Sequence, residues 1–543
     1  MAVQAIFTIR TERNLGFNVR VQIQDRLLAA LRRCCQALPD RRRGKSATYA
    51  MADFALAAFA PFFMQSPSFL AHQRHLETGH GRSNCETLFG MSKIPGDSQV
   101  RAMLDAIEPA PFYPMFADIV AELKQCGGLD AMRVLDGHVL IAWDDTEYHC
   151  SDTISCPNCS HRKRGKTKTK TEYVHAMLAA TVVAPGHNRA VPLEPEFIVP
   201  QDGHDKQDCE SRAVRRWLAA HAAHYARLKP VYLGANLFSR QPICQAMLDD
   251  GAHFRFVCKP DSHPAIEEFR AGIKLDELTQ KLRRGKRWMT YRYQWLCDVP
   301  LRGDAKAMTV NGLMIEVLDA DAEVTYRNRF ITDMPVTREN VAELAACGRA
   351  RWKVENEGFN TLKTKGYHLE HNFGHGQQNR SAVLATLNLL AFACHTVCDL
   401  GGRAWKAARR ELVTRQGFFH CRRALTSYLV FPSWDHLLET LAFTRPPPLG
   451  PSTAGSKNAT RPAGTPASGH PGHLRQVIMR TAARARHWWT ESDGKCRQIP
   501  SISVDLVGRF TRRSGSARRD RATNRRFRPC RIPPVSPRPQ PPG

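Results

Sequence analysis

The chain has no apolar run of the roughly 18–20 residues that a membrane-spanning helix needs. Its longest apolar stretches, near residues 54–64 and 382–394, are shorter, and Thr386 and Asn388 interrupt the second. Both are expected to be buried helices, with no membrane partner. The N-terminus, MAVQAIFTIRTERNLGF, carries charge where a secretory signal has its apolar stretch, so no signal is expected. The 17 cysteines are an odd number scattered over 543 residues. That usage speaks against a disulfide framework and for free thiols in a reducing, cytoplasmic setting. Acidic residues are also short, 51 against 78 Lys and Arg, for a net charge of +27. An excess of this size favours a polyanionic partner, most often nucleic acid. Residues 446–543 hold 19 Lys/Arg and 4 Asp/Glu, so +15 of the excess lies there.

What is present divides the chain into five regions. Residues 1–130 read as helical, and within them residues 85–107 give an apolar segment, a Pro-Gly-Asp turn and a helix capped by Asp97 or Ser98. That pattern is either a helix-turn-helix that grips DNA or a plain helical hairpin. Residues 131–281 alternate β-branched runs with helices, as in VLIAWDDTEY, EYVHAMLAATVV, PVYLG and FRFVCKP, which argues for a mixed α/β sheet. Residues 282–335 are β-rich and aromatic, residues 336–445 are helical again, and residues 446–543 form a Pro/Arg-rich basic tail expected to be disordered.

Three clusters carry chemistry. Asp144 and Asp145 close a buried strand; neighbours on a strand point to opposite faces, so one of them aims into any given site. In RARWKVENEGFNTLKTK, Arg351 and Glu355 share a helix face and Lys363 lies two turns on. This is either a surface ion-pair ladder or a site in which Glu355 holds a cation and the bases hold phosphates. Trp352, Val354, Phe359 and Leu362 are expected to pack that helix on the sheet. The third cluster is the hairpin 149–171. Cys150, Cys156, Cys159 and His161 are candidate ligands for a tetrahedral zinc, although no second Cys-x-x-Cys completes a ribbon. Arg162, Lys163, Arg164, Lys166 and Lys168 follow, suited to DNA phosphates.

With AWDDTEY, VYLGANLFSRQP, RWKVENEGFNTLK, PQDGHDKQDCE and GYHLEHNFGHG together, the chain from about residue 51 to 443 resembles the DDE transposases of bacterial insertion sequences, the class with a β-rich insertion before the glutamate. The resemblance implies an α/β fold with an RNase H-like mixed-sheet catalytic core, two acids on adjacent strands and a Glu on a later helix. It implies Mg²⁺ or Mn²⁺ at Asp144 and Glu355, with Asp145 as the alternative first acid. It further implies DNA-backbone contacts from Arg351 and Lys363, double-stranded transposon ends and target DNA as partners, and a homodimer in the synaptic complex. The departure is at the second acid, where Ala235 and Asn236 follow the strand's Gly234. A methyl group cannot ligate Mg²⁺ and an amide adds no negative charge, so this copy is expected to be catalytically impaired. Asp202, Asp205, Asp208, Asp249 and Asp250 are the candidate substitutes. The rival readings are a DNA-binding relic or repressor without catalysis, and a nuclease that hydrolyses but does not join.

Overall fold

Val139, Leu140, Ile141, Ala142 and Trp143 are all buried, so strand β1 (Val139–Ser151) starts with no solvent face. A strand covered on both sides reads as a continuous apolar run rather than an alternation. The computed structural model describes residues 22–42, 47–165, 169–200, 208–371 and 374–443. The expectations for the tail 446–543 and for Lys166, Lys168, Asp202 and Asp205 lie outside the described residues.

β1 sits inside a ten-stranded mixed sheet. The other strands are β2 (Ser160–Arg164), β3 (Lys170–Val183), β4 (Val191–Ile198), β5 (Pro230–Gly234), β6 (His253–Val257), β7 (Asp276–Arg284), β8 (Arg287–Pro300), β9 (Thr309–Leu318) and β10 (Val324–Thr332). Their order is β2-β3-β1-β5-β6-β10-β9-β8-β7, with β4 beside the second half of β3. β1, β5 and β6 run parallel, and the other neighbours are antiparallel. The β-rich stretch expected at 282–335 is not set apart, because β10 pairs with β6 and extends the same sheet. It also begins earlier, at β7. That strand is exposed along most of its length, so it carries no apolar alternation to announce it.

The chain opens with helices α1 (Ile23–Gln36), α2 (Met51–Phe63), α3 (Phe69–Glu77), α4 (Asp97–Asp105) and α5 (Pro114–Gln125). The α4 cap differs from expectation. Gly96 occupies the cap position, while the Asp97 carboxylate is committed to Arg101 Nε at 2.9 Å, one turn on. Three helices follow among the strands: α6 (Glu210–Tyr225), α7 (Gln241–Asp249) and α8 (Pro264–Ala271). Beyond β10 lie α9 (Val341–Arg349), α10 (Arg380–Gly401), α11 (Arg403–Glu411), α12 (Arg415–Tyr428) and α13 (Trp434–Phe443).

α10 is the hub of the helical side, packed by α1, α2, α4, α5 and β4. At 22 residues it is long and apolar enough to cross a membrane, unlike the shorter run read from sequence. However, 89 % of its apolar window is buried within the fold, where it meets protein. Two of its buried polar groups donate there: Thr386 Oγ1 to the Ala382 carbonyl and Asn388 Nδ2 to the Tyr367 carbonyl, both at 2.9 Å. Beside it Arg422 is fully buried, its guanidinium 4.8 Å from the Trp434 ring centre and 5.1 Å from that of Phe63. Burial pushes its pKa down to about 9, and ring faces are the favourable contacts left to the charge.

The first turn of α10 is capped from outside. Asp105, at the end of α4, accepts from the backbone N–H of Gln377 (2.9 Å), Gln378 (3.1 Å) and Arg380 (3.0 Å). Burial works against the charge, but those amides and Arg380 outweigh it and hold the carboxyl below its ordinary range. Asp105→Ala should therefore cost about 1–2 kcal/mol in urea unfolding at neutral pH. A depressed folded pKa gives stability that is present above the unfolded pKa, roughly 4, and lost as pH falls through the folded value. Parent and variant should converge in acid; an undiminished gap at about pH 2 would refute the cap.

Candidate active site

β1 carries Asp144 to the edge of the buried run. After α9 the chain tightens into a 3₁₀ turn (Ala350–Trp352) and then widens into a π-helical turn (Val354–Phe359) before resuming at Asn360–Thr364. The sequence suggested one regular helix. The π-turn widens the helix where Glu355 sits, and such turns recur at functional sites. Trp352, in the 3₁₀ turn, is 45 % exposed, contrary to the expected packing role, while Val354, Phe359 and Leu362 are buried as expected. Lys353 goes inward instead and donates to the His187 carbonyl.

Here the expected pair meets. Glu355 and Asp144 lie carboxyl to carboxyl, and Arg351 Nη1 donates to Asp144 Oδ2 at 2.9 Å. Burial pushes the Asp144 carboxyl up to about 7; Arg351 opposes the shift, and Glu355 and Asp145 add to it. Asp145 is raised as well, by burial first and then by Glu147 and Glu355, with Lys363 opposing. The face that Asp145 takes also meets an acid the motifs did not single out. Glu210, in the first turn of α6, is pushed up by burial and by Asp145. An acid in a first helical turn reads as a favourable dipole partner, so nothing local marked it.

Ala235, the residue expected to stand at the second-acid position, directly follows β5. Ala142 pairs with Leu233 in the parallel β1–β5 ladder, and two residues on that register sets Ala235 beside Asp144. Gly234 is required there, since a Cβ would come 2.5 Å from Phe238 and 3.0 Å from Phe256. Asn236 offers the site nothing: its Oδ1 accepts from Lys259 N at 2.7 Å and its Nδ2 donates to Ser262 Oγ at 2.8 Å. The proposed substitutes fare no better. Asp208 is tied to Arg216 at 2.7 Å and caps the Cys209 amide. Asp249 and Asp250 end α7 just before β6, whose His253 pairs with Val231, at the far end of β5 from Ala235.

The DNA-contact candidates are partly engaged. Arg351 holds Asp144 and Lys363 pairs with Glu370 at 2.8 Å. Arg162 bonds Glu147 and Glu172, Arg164 reaches Glu172 at 3.0 Å, and Lys163 donates to Thr171 Oγ1.

The Cys/His expectation needs correction. Cys156 and Cys159 converge as expected, but their partners are His175 and His375 rather than Cys150 and His161. Strand register is the reason. Ser160 pairs with Val174, so Cys159 falls beside His175, whereas His161 lies opposite Tyr173 and is exposed. Cys150 follows His149 on β1, so it points to the other face, where it is exposed beside Glu172. The separations are 3.9 Å between the sulfurs, 3.4 Å and 3.5 Å from His175 Nε2 to Cys156 and Cys159, 3.4 Å from His375 Nε2 to Cys159, and 3.3 Å between the two imidazole nitrogens. The Cys159 contact, with His175 and His375, holds the Cys156 thiol well below its ordinary range. None of the described cysteines forms a disulfide.

No protein-family model matches the chain, and no curated protein matches it at a significant level.

Proposed function

We propose that the chain is a transposase of insertion-sequence type on an RNase H-like core, with Mg²⁺ or Mn²⁺ held by Asp144 and Glu355 and activity impaired by Ala235. One observation carries the reading: Asp144 on β1 and Glu355 on a later helical segment face each other, with the second-acid position next along the register on β5. Two carboxylates facing each other, Asp144 partly buried and Glu355 exposed to solvent, suit a hard, oxygen-seeking cation. When bound, such an ion supplies Lewis acidity and activates water or a 3′-hydroxyl for in-line phosphodiester displacement. The side chains do the rest. Arg351 orients Asp144 and offsets its charge; Lys363 lies near Asp145, within reach of a backbone phosphate. The charge of +27 favours double-stranded DNA as substrate. Joining two transposon ends calls for a homodimer, acting in the cytoplasm on nucleoid DNA.

The test is cleavage of end-labelled duplex carrying inverted repeats. Asp144→Ala and Glu355→Ala should each abolish whatever Mg²⁺-dependent cleavage the parent retains. Pre-cut ends should be joined, which a plain nuclease cannot do. The filled Asn236 contacts and Ala235 favour a second reading, a relic that binds duplex DNA with strong salt dependence and never cleaves.

Thermal unfolding reads the metal site without turnover. Asp144 is raised in the fold, so the folded state holds its proton longer and stability falls as pH rises from about 4 to about 7. In metal-free buffer Asp144→Asn should escape that loss and melt above the parent at pH 8, with the gap closing in acid. Mg²⁺ should raise the parent's Tm and leave that of Asp144→Asn unchanged. Equal Mg²⁺ shifts in both would remove Asp144 as a ligand.

A further inference from the structure

We propose that Cys156, Cys159, His175 and His375 bind one zinc ion in a closed tetrahedral site that clasps the β2–β3 hairpin to the segment leading into α10. The site is independent of the carboxylates and takes no part in their chemistry.

The donor separations carry the argument. A tetrahedral zinc with Zn–S of about 2.3 Å and Zn–N of about 2.05 Å requires edges of ~3.8 Å for S···S, ~3.5 Å for S···N and ~3.3 Å for N···N. The five measured edges are 3.9, 3.4, 3.5, 3.4 and 3.3 Å. A Cys156–Cys159 disulfide would need the sulfurs at about 2.05 Å, far closer than they stand. Two imidazole Nε2 atoms at 3.3 Å present lone pairs to each other unless a proton or a cation lies between them. A single cation resolves both contacts and completes the tetrahedron.

The backbone builds the site locally. Pro157 and Asn158 occupy the middle of a tight turn closed by Cys159 N–H on the Cys156 carbonyl at 3.1 Å, and Cys156 N–H points at Cys159 Sγ at 3.4 Å. Ser151 Oγ accepts from Thr153 N and Ile154 N, which bends the chain out of β1 toward that turn. Asn158 Nδ2 then donates to the Gln378 carbonyl at 2.5 Å, so the turn is already latched to the segment that presents His375. Asp105 holds the same segment from its other side. Four protein donors leave no open position, the mark of a structural rather than a catalytic zinc. The clasp therefore fixes Arg162, Lys163 and Arg164 relative to α10.

The experiment uses the full chain, purified without chelators, and reads metal content by plasma mass spectrometry. About one zinc per chain is expected. Cobalt exchanged into the protein should give the visible bands of tetrahedral Co²⁺ and a thiolate charge-transfer band. His375→Ala and Cys156→Ser should lose both, whereas Cys150→Ser and His161→Ala should keep them. Because the first two variants can fail to fold, a second measurement stays on the parent. A chelator should expose Cys156 and Cys159 to maleimide while the buried Cys244 stays protected. A parent that carries no zinc and takes up no tetrahedral cobalt overturns the proposal. So does full zinc in a folded His375→Ala, or maleimide labelling that the chelator leaves unchanged. None of these readouts requires DNA or turnover, so the zinc site stands or falls apart from the transposase reading.

Discussion

Ala235→Asp should raise Mg²⁺-dependent DNA cleavage by more than about 100-fold. Even the outer partners of metal ligands are worth about 10–100-fold, and a direct carboxylate ligand is worth more. Geometry favours the gain. Ala235 is in extended backbone at φ −69° and ψ 171°, just past β5, and extending the β1–β5 register by two residues brings it level with Asp144. A carboxylate there joins Asp144 and Glu355 on the same side of the sheet, where Arg351 is the cation bound to Asp144. The same substitution should lower stability in metal-free buffer, since it adds a third negative charge to a cluster in which burial already works against Asp144. Mg²⁺ should then stabilise the variant more than the parent. A variant that cleaves no faster and gains no extra Tm from Mg²⁺ would falsify the broken-triad account.

If the parent already cleaves at full rate, the missing charge comes from elsewhere. Glu210 is the first acid to test, because it approaches Asp145 from α6 and is half-buried there. Glu210→Gln would then cost cleavage in the parent, and far less in Ala235→Asp.

Much of this architecture was legible in the chain. Val139–Trp143 read as a buried strand because it is one, and Asp144 and Glu355 stood out because chemistry restricts what can follow such a strand or interrupt such a helix. The departure at Ala235 came from the resemblance alone, which expects an acid after the strand's Gly234; nothing in the local pattern of PVYLGAN marks it. Closures across distant segments were not legible. His175 and His375 join Cys156 only through the β2–β3 register and the loop before α10, and cysteine spacing favoured His161 and Cys150, which strand alternation turns away. Glu210 looked like an ordinary helix-start acid. Local propensity favours a continuous helix through 341–364, so neither the 3₁₀-to-π change nor the exposed Trp352 could be read from it. Arg422 gave no sign of its aromatic box, since Phe63, Trp405 and Trp434 come from separate helices.

Trp143→Ala should destabilise the protein by about 3–5 kcal/mol, the usual cost of deleting a large buried aromatic ring. Trp143 is fully buried and its ring stacks on Tyr232 at 4.5 Å with planes 10° apart. Trp217 meets its edge at 5.8 Å, and Phe238 and Phe256 close the other sides at 6.2 and 6.5 Å. These rings come from α6, β5, β6 and the turn after Gly234, so the deleted volume lies at the junction of the parallel strands and cannot collapse from one side. Domains commonly have only about 5–15 kcal/mol of net stability, so the loss should be plain as a lower urea midpoint. Trp143→Phe, which keeps an aromatic ring, should lose much less. The effect should also reach the site, because Asp144 is the next residue on β1 and Ala235 follows the strand that carries Tyr232. The Mg²⁺-induced Tm rise expected of the parent should therefore shrink in Trp143→Ala. A urea midpoint unchanged by the substitution would mean that the ring cluster is not what holds β1 and β5 together.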